Sequence, residues 1–259
     1  MNGRTFIFET ETVTHPGKVR KLNEDSIFAS ARHGIWLVAD GMGGHRDGNV
    51  ASAMIAETTA QLPGGQNLAA DFVASMGQVN DRLLALSGGV AERIVGSTVA
   101  ALIIQGSRYL CLWAGDSRCY LVRKGVLSQL SHDHTEVQEL LSAGAITAEE
   151  ARKWPRRNVI TRAVGADWTL NLAEEEGGVA AGDCFILCSD GLTTHVSDAE
   201  ILQHAMAAAP KTLCAGLLAL ALERGGRDNI SIIALHVAER DKTRMLDSPL
   251  EPDAERRHE

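Results

Sequence analysis

Short apolar runs in this chain repeatedly end on an acidic residue beside a glycine, and that recurrence limits the folds open to it. Residues 35–39 lead into Asp40-Gly41, Leu112-Trp113-Ala114-Gly115 into Asp116, and residues 185–189 into Asp190-Gly191. Asn23-Glu24-Asp25 and Asp228-Asn229 stand instead just before apolar stretches. A carboxylate at a strand end next to glycine can aim its oxygens into a cleft while the backbone turns sharply away. A single Asp-Gly is an ordinary turn, and Asp47-Gly48 and Gly182-Asp183 are read as turns. Asp40, Asp190 and Asp228 differ in standing beside long apolar strands that need no acidic end.

Gly and Pro punctuation divides the chain into short β-rich segments and a few helices, with no low-complexity linker before about residue 239. Strands are expected at 6–14, 26–32, 35–39, 98–104, 109–114, 118–123, 168–174, 184–188 and 230–236. Helical periodicity covers 50–60, 69–86 and 136–142. It returns at 199–208, after an expected Asp198 cap, and at 213–223, which ends before Gly225-Gly226. Strands and helices cluster instead of alternating, and Lys124-Gly125 marks a tight hairpin. The expectation is α+β: a central antiparallel β-sandwich flanked by helices on both sides, one domain over 1–238. Residues 239–259 are charged and proline-containing, and they are expected to be a disordered tail.

Composition excludes several function classes. The formal charge of −8 and the absence of a Lys/Arg run argue against sequence-independent nucleic-acid binding, which depends on clustered cations. No apolar run approaches the roughly 20 residues a membrane span needs, and the first residues do not read as a signal peptide. The five cysteines form no CxxC pair and lie in apolar segments, so they read as buried thiols of a reduced, cytoplasmic protein; a monomer is expected. None has an Arg six residues on, as a cysteine phosphatase requires, and no Gly-x-Ser-x-Gly elbow occurs. The His132-Asp133-His134 triplet lacks a third nitrogen or sulfur ligand nearby and reads as a structural turn.

The carboxylates themselves point to hard cations. Mg²⁺ and Mn²⁺ take oxygen ligands and keep several waters, so a few Asp side chains and a backbone carbonyl make a suitable open site. Two such ions about 4 Å apart can activate a shared water and offset the charge of a transferred phosphoryl group. Phosphoryl transfer is therefore the expected chemistry.

The ordered set Arg20-x-x-Asn23-Glu24-Asp25, Asp40-Gly41-Met42-Gly43-Gly44-His45, Gly96-Ser97-Thr98, Ala114-Gly115-Asp116-Ser117-Arg118, His132-Asp133-His134, Asn158-Val159-Ile160-Thr161-Arg162, Ser189-Asp190-Gly191-Leu192 and Gly226-Arg227-Asp228-Asn229-Ile230-Ser231 resembles the PPM/PP2C phosphatase family, in the style of its stand-alone bacterial branch. The resemblance implies a β-sandwich flanked by helices and hydrolysis of phosphoserine and phosphothreonine in proteins without a covalent intermediate. It also implies two or three Mn²⁺ or Mg²⁺ ions per chain. Asp40 resembles the carboxylate bridging the first two metals, Gly41 a carbonyl ligand, and Asp190 with Asp228 the rest of the first metal's shell. Asp116, with Asp190, resembles the holder of a third metal. Glu24 and Asp25 resemble a ligand and a water-orienting group, with the assignment between them open. Arg20 resembles the arginine that grips the substrate phosphate.

Met42 stands where eukaryotic members often carry a histidine proposed as general acid, and Met cannot donate a proton. A metal-bound water or the leaving group's own protonation is expected to replace that acid, with His45 ordering the Gly-rich turn. Residues 140–157 resemble the family's flap, which is expected to bias substrate choice through Trp154, Arg156 and Arg157. Stand-alone bacterial relatives usually oppose a Ser/Thr kinase, some of them in secretion-system control. The rival reading is a catalytically silent phosphoprotein-binding member, and retention of Asp40, Asp190 and Asp228 argues against it. A two-metal nuclease would need a basic track that this chain lacks.

Overall fold

The computed structural model describes residues 6–43, 47–88, 94–156 and 158–239. In chain order the elements are β1 (Phe6–His15), β2 (Asp25–Ser30), β3 (Ile35–Met42), α1 (Asp47–Ala60), α2 (Leu68–Leu86), β4 (Gly96–Ser97), β5 (Val99–Gln105), β6 (Arg108–Ala114), β7 (Arg118–Arg123), β8 (Val126–Gln129), α3 (Glu136–Ser142), α4 (Ala148–Arg152), β9 (Ala173–Gly178), β10 (Cys184–Cys188), α5 (Asp190–Thr193), α6 (Asp198–Ala207), α7 (Pro210–Glu223) and β11 (Ile230–Glu239). The strands form two antiparallel sheets, one ordered β1-β11-β10-β7-β8 and the other β2-β3-β5-β6-β9, with β4 pairing β3.

The sheets stack face to face because their central strands are apolar on both sides. In β3, Trp36 and Val38 enter the inter-sheet core with Leu102, Phe185 and Leu235. Ile35, Leu37 and Ala39 point the other way and pack on Ile55, Phe72 and Met76 of α1 and α2. Period-two alternation thus feeds two cores at once, which is why these strands read as unbroken apolar runs. On the far side Ile186, Ile232 and Ala234 meet Ile201, Leu213 and Leu217 of α6 and α7. The expected helix-flanked sandwich is the observed architecture.

Three local expectations change. The strand expected at 168–174 is absent, and β9 occupies 173–178 instead. Leu170 and Leu172 pack as irregular chain against the helix-side core, and Trp168 is 81% exposed. Asp198 is the first residue of α6 and not its cap; Ser197 and Glu200 form the capping box. Asp47-Gly48 opens α1 and is not a plain turn. The 1–238 domain assignment remains an expectation. His45, Arg157 and residues 240–259 lie outside the described residues. Among the described residues no helix is long and apolar enough to cross a membrane. All five cysteines are free and buried.

Candidate metal centre

The acidic residues singled out from the sequence come from five different connections of the two sheets. Asp25 opens β2 and lies in register with Asp40 of β3. Asp116 lies between β6 and β7, Asp190 opens α5 directly after β10, and Asp228 precedes β11. Burial lifts the Asp40 carboxyl well above its usual range, and the charges of Asp25, Asp190, Asp116 and Asp228 raise it further. Burial is also the main cause that pushes Asp116 up to about 8, with Asp190 the largest charged contributor. It pushes Asp25 and Asp190 each up to about 6. Carboxylates that raise one another in this way stand within each other's field, so the array is costly without cations among them.

Two loops are clamped to hold this geometry. Asn229 accepts from the Glu24 amide at 2.8 Å, and its Nδ2 donates to the carbonyls of Pro16 and Leu22 at 3.0 and 2.9 Å. Lys18 N donates to Gly226 O at 2.7 Å. The 16–24 loop, which carries Arg20 and Glu24, is thereby fixed to the loop that carries Asp228. Arg20 reaches across it, its Nη2 donating to Asp228 Oδ2 at 2.8 Å with both side chains partly exposed. Asp228 Oδ1 accepts from the Asn229 amide at 2.9 Å.

Gly41 is required by close approach. A Cβ there would overlap the Gly48 carbonyl and come within 2.7 Å of Glu24 O. Gly41 N donates to Glu24 O at 3.1 Å, which ties the end of β3 to the start of β2. Gly41→Ala is expected to cost about 1–3 kcal/mol in chemical denaturation and to weaken Mn²⁺ binding measured by calorimetry. A variant with wild-type stability would show that this approach is not constrained.

The residues fit divalent cations. Asp25 is 6% exposed, and its Oδ1 is buried with no hydrogen-bond partner among the described residues. A buried carboxylate oxygen left bare is costly unless a ligand or water completes it. Among the described residues no group of three or more His, Cys, Asp or Glu side chains is placed to hold a metal ion by itself. Hard cations suit such a spread array, because each takes one or two carboxylates, carbonyl oxygens and several waters.

Asp133 and His134 serve the scaffold. Asp133 takes a bidentate pair from Arg118 at 2.7 and 2.8 Å. His134 Nδ1 accepts from Gly115 N at 3.2 Å, and its ring stacks on Trp113. Burial, aided by Arg162, lowers His134 to about 4 and keeps it neutral. Beside Asp116 and Asp190, α3 and α4 roof a cavity of about 350 Å³ lined also by Val137, Gln138, Leu141 and Arg152. Trp154 and Arg156 do not line it: both are turned onto Glu136, at 3.4 and 3.0 Å. Sequence reasoning gives no role to Asn229, Ser189 or Ser231, although all three lie within the quoted motifs, because their partners are distant in sequence.

The sequence profile of the Protein phosphatase 2C family matches residues 18–214. The serine/threonine protein phosphatase PstP of Mycobacterium tuberculosis is 38% identical over 240 residues, 87% of this chain. The chain spans only 44% of the length of PstP. The serine/threonine phosphatase stp of Listeria monocytogenes is 34% identical over 245 residues, covering 89% of this chain and 95% of that one. Among solved structures, one described as PppA, a key regulatory component of T6SS in Pseudomonas aeruginosa, superposes with a TM-score of 0.84 at 37% identity over 91% of this chain and all of that one. The catalytic domain of PstP in complex with two manganese ions gives 0.80 at 35% identity, over 90% of this chain and all of that one. On its motifs, its layered sandwich and these likenesses together, the chain belongs to the protein phosphatase 2C family.

Proposed function

We propose that this chain is a metal-dependent serine/threonine protein phosphatase that hydrolyses phosphoserine and phosphothreonine in proteins. The observation that carries the reading is the mutually repelling set of Asp25, Asp40, Asp116 and Asp190 with Asp228, bordered by Arg20. Asp40, the Gly41 carbonyl, Asp190 and Asp228 would hold divalent cations together with Glu24, and Asp116 with Asp190 would hold a further one. Bound there, such cations supply Lewis acidity toward phosphoryl oxygens and make water a stronger nucleophile.

The chain's own groups do the rest. Asp25 offers one bare oxygen to orient water. Arg20, a planar fork suited to phosphate, is held at the rim by Asp228 and would be free for the substrate phosphate if Asp228 held a cation. Met42 cannot protonate the leaving alkoxide, and water in the cleft would supply that proton.

Mn²⁺ is the favoured ion, supported by the two manganese ions bound to the PstP relative. The chain's counterpart would be a Ser/Thr kinase, of which phosphoserine and phosphothreonine are the products, and a place in secretion-system control is supported by the likeness to PppA. The buried free thiols fit a reducing cytoplasmic setting. Metal-stripped protein should release phosphate from a phosphothreonine peptide only after Mn²⁺ or Mg²⁺ is added. Silence with every divalent cation would leave a phosphoprotein-binding module instead.

The flap biases substrate choice through Arg152, which lines the cavity beside Asp116 and Asp190. Arg152→Glu is expected to lower the preference for acidic over basic flanking residues, read as a ratio of kcat/KM, by about three- to tenfold. An unchanged ratio rejects this role.

A further inference from the structure

Behind Asp25 runs a chain of hydroxyls whose protons all point one way. Ser189 Oγ and Ser231 Oγ both donate to Asp25 Oδ2, at 2.8 and 2.7 Å. Both serines are fully buried. The Ser231 amide donates to Ser189 Oγ at 3.0 Å, so that hydroxyl's single proton is left for Asp25. Ser231 Oγ also meets Thr14 Oγ1 at 2.8 Å, where either atom has the capacity to donate. Because the Ser231 proton is already on Asp25, Thr14 must be the donor there. Thr14 Oγ1 in turn accepts from Asn23 Nδ2 at 2.8 Å. The orientation of Asn23 is itself fixed, since its Oδ1 accepts the Asp25 amide at 3.3 Å and an amide nitrogen there could not.

The network joins the two sheets: Thr14 and Ser231 are cross-strand partners in β1 and β11, whereas Asp25 belongs to β2 of the other sheet. A purely structural link would satisfy both carboxylate oxygens. Here two donors converge on Oδ2, and Oδ1 is left buried and bare. We infer that Asn23, Thr14, Ser231 and Ser189 form a positioning network that saturates one oxygen of Asp25 and aims the other at the attacking water. The inference rests on the phosphatase reading above and adds to it four residues that touch neither substrate nor cation.

The test uses the full chain loaded with Mn²⁺ and compares wild type with Ser231→Ala, Ser231→Thr and Asn23→Asp. The last replaces the amide that donates to Thr14 by an acceptor, which reverses the proton order without shortening any side chain. Ser231→Ala and Asn23→Asp are expected to lower kcat on a phosphothreonine peptide by about ten- to hundredfold. KM and Mn²⁺ affinity by calorimetry should change less than about threefold, and Ser231→Thr should restore most of kcat. Should Ser231→Ala fail to fold, Thr14→Val removes the next link with little change of shape and should give the same split. Unchanged kcat in these variants overturns the inference, and so does a fall in kcat matched by an equal loss of Mn²⁺ affinity. Wild type that releases no phosphate with Mn²⁺ overturns the phosphatase reading itself, and the inference with it.

Discussion

Asp190→Asn is expected to lower Mn²⁺-supported phosphate release by about a thousandfold while making the metal-free protein more stable. The rate loss follows from the work a cation does at a phosphoryl group, several kcal/mol of transition-state charge stabilisation, and about 4 kcal/mol is a factor of a thousand. The stability gain follows from the same residue's surroundings. Burial and the charge of Asp228 push the Asp190 carboxyl from its ordinary 3.8 up to about 6, against the pull of Arg20. At pH 8 the ionised form is therefore held at a cost of up to about 3 kcal/mol, and a neutral amide of the same shape relieves it. Opposite signs in the two measurements identify a ligand-holding carboxylate. Loss of both activity and stability would mark Asp190 as structural, and unchanged turnover would remove it from the centre.

The sequence made the layers legible because the central strands are apolar on both faces. Residues 118–123 and 184–188 match β7 and β10 at both ends, and 136–142 matches α3. Legibility failed where tertiary packing outweighs local pattern. Leu170 and Leu172 alternate like a strand, yet they pack as irregular chain on the α2 side of the sheet. The real edge strand, β9, reads AEEEGG; acidic side chains that discourage edge pairing also conceal the strand from an apolar search. At the site, Asp40, Asp190 and Asp228 stood out because charge at the end of an apolar strand is anomalous. Ser189, Ser231 and Asn229 did not, since a buried hydroxyl or amide announces itself only through partners distant in sequence, such as Asp25 and Pro16. The flap expected over 140–157 spans the end of α3 and all of α4. Its aromatic and basic residues misdirected attention, because Trp154 and Arg156 close on Glu136 while Arg152 faces the cavity.

Metal-free protein should lose stability as pH rises from 7 to 8, and added Mn²⁺ should abolish that loss. Asp116 is pushed up to about 8 and Asp40 well above its usual range, in both cases mainly by burial. Between the unfolded value near 4 and these raised values the folded state holds protons that the unfolded chain has released. Stability therefore falls with rising pH across that window. Below about pH 6.5 the trend is masked, because His134, lowered to about 4, and His195 and His236, also lowered, resist protonation in the fold and so favour stability as pH rises. Toward pH 9 the thiols of Cys184, Cys188 and Cys214, pushed up to about 12 by burial, add a second downward slope. Between pH 7 and 8 the unfolded chain's histidines are mostly neutral and its thiols only beginning to ionise, so thermal melts in chelator report chiefly the raised carboxylates. Cations bind the ionised carboxylates and not the protonated ones, so Mn²⁺ should raise the melting temperature more at pH 8 than at pH 6. Asp116→Asn should flatten the metal-free slope by removing the group that titrates nearest the window. A metal-free melting temperature that stays level from pH 7 to 8, or one that Mn²⁺ raises equally at pH 6 and 8, would show that these carboxylates do not share one field, and the metal-centre reading would lose its physical basis.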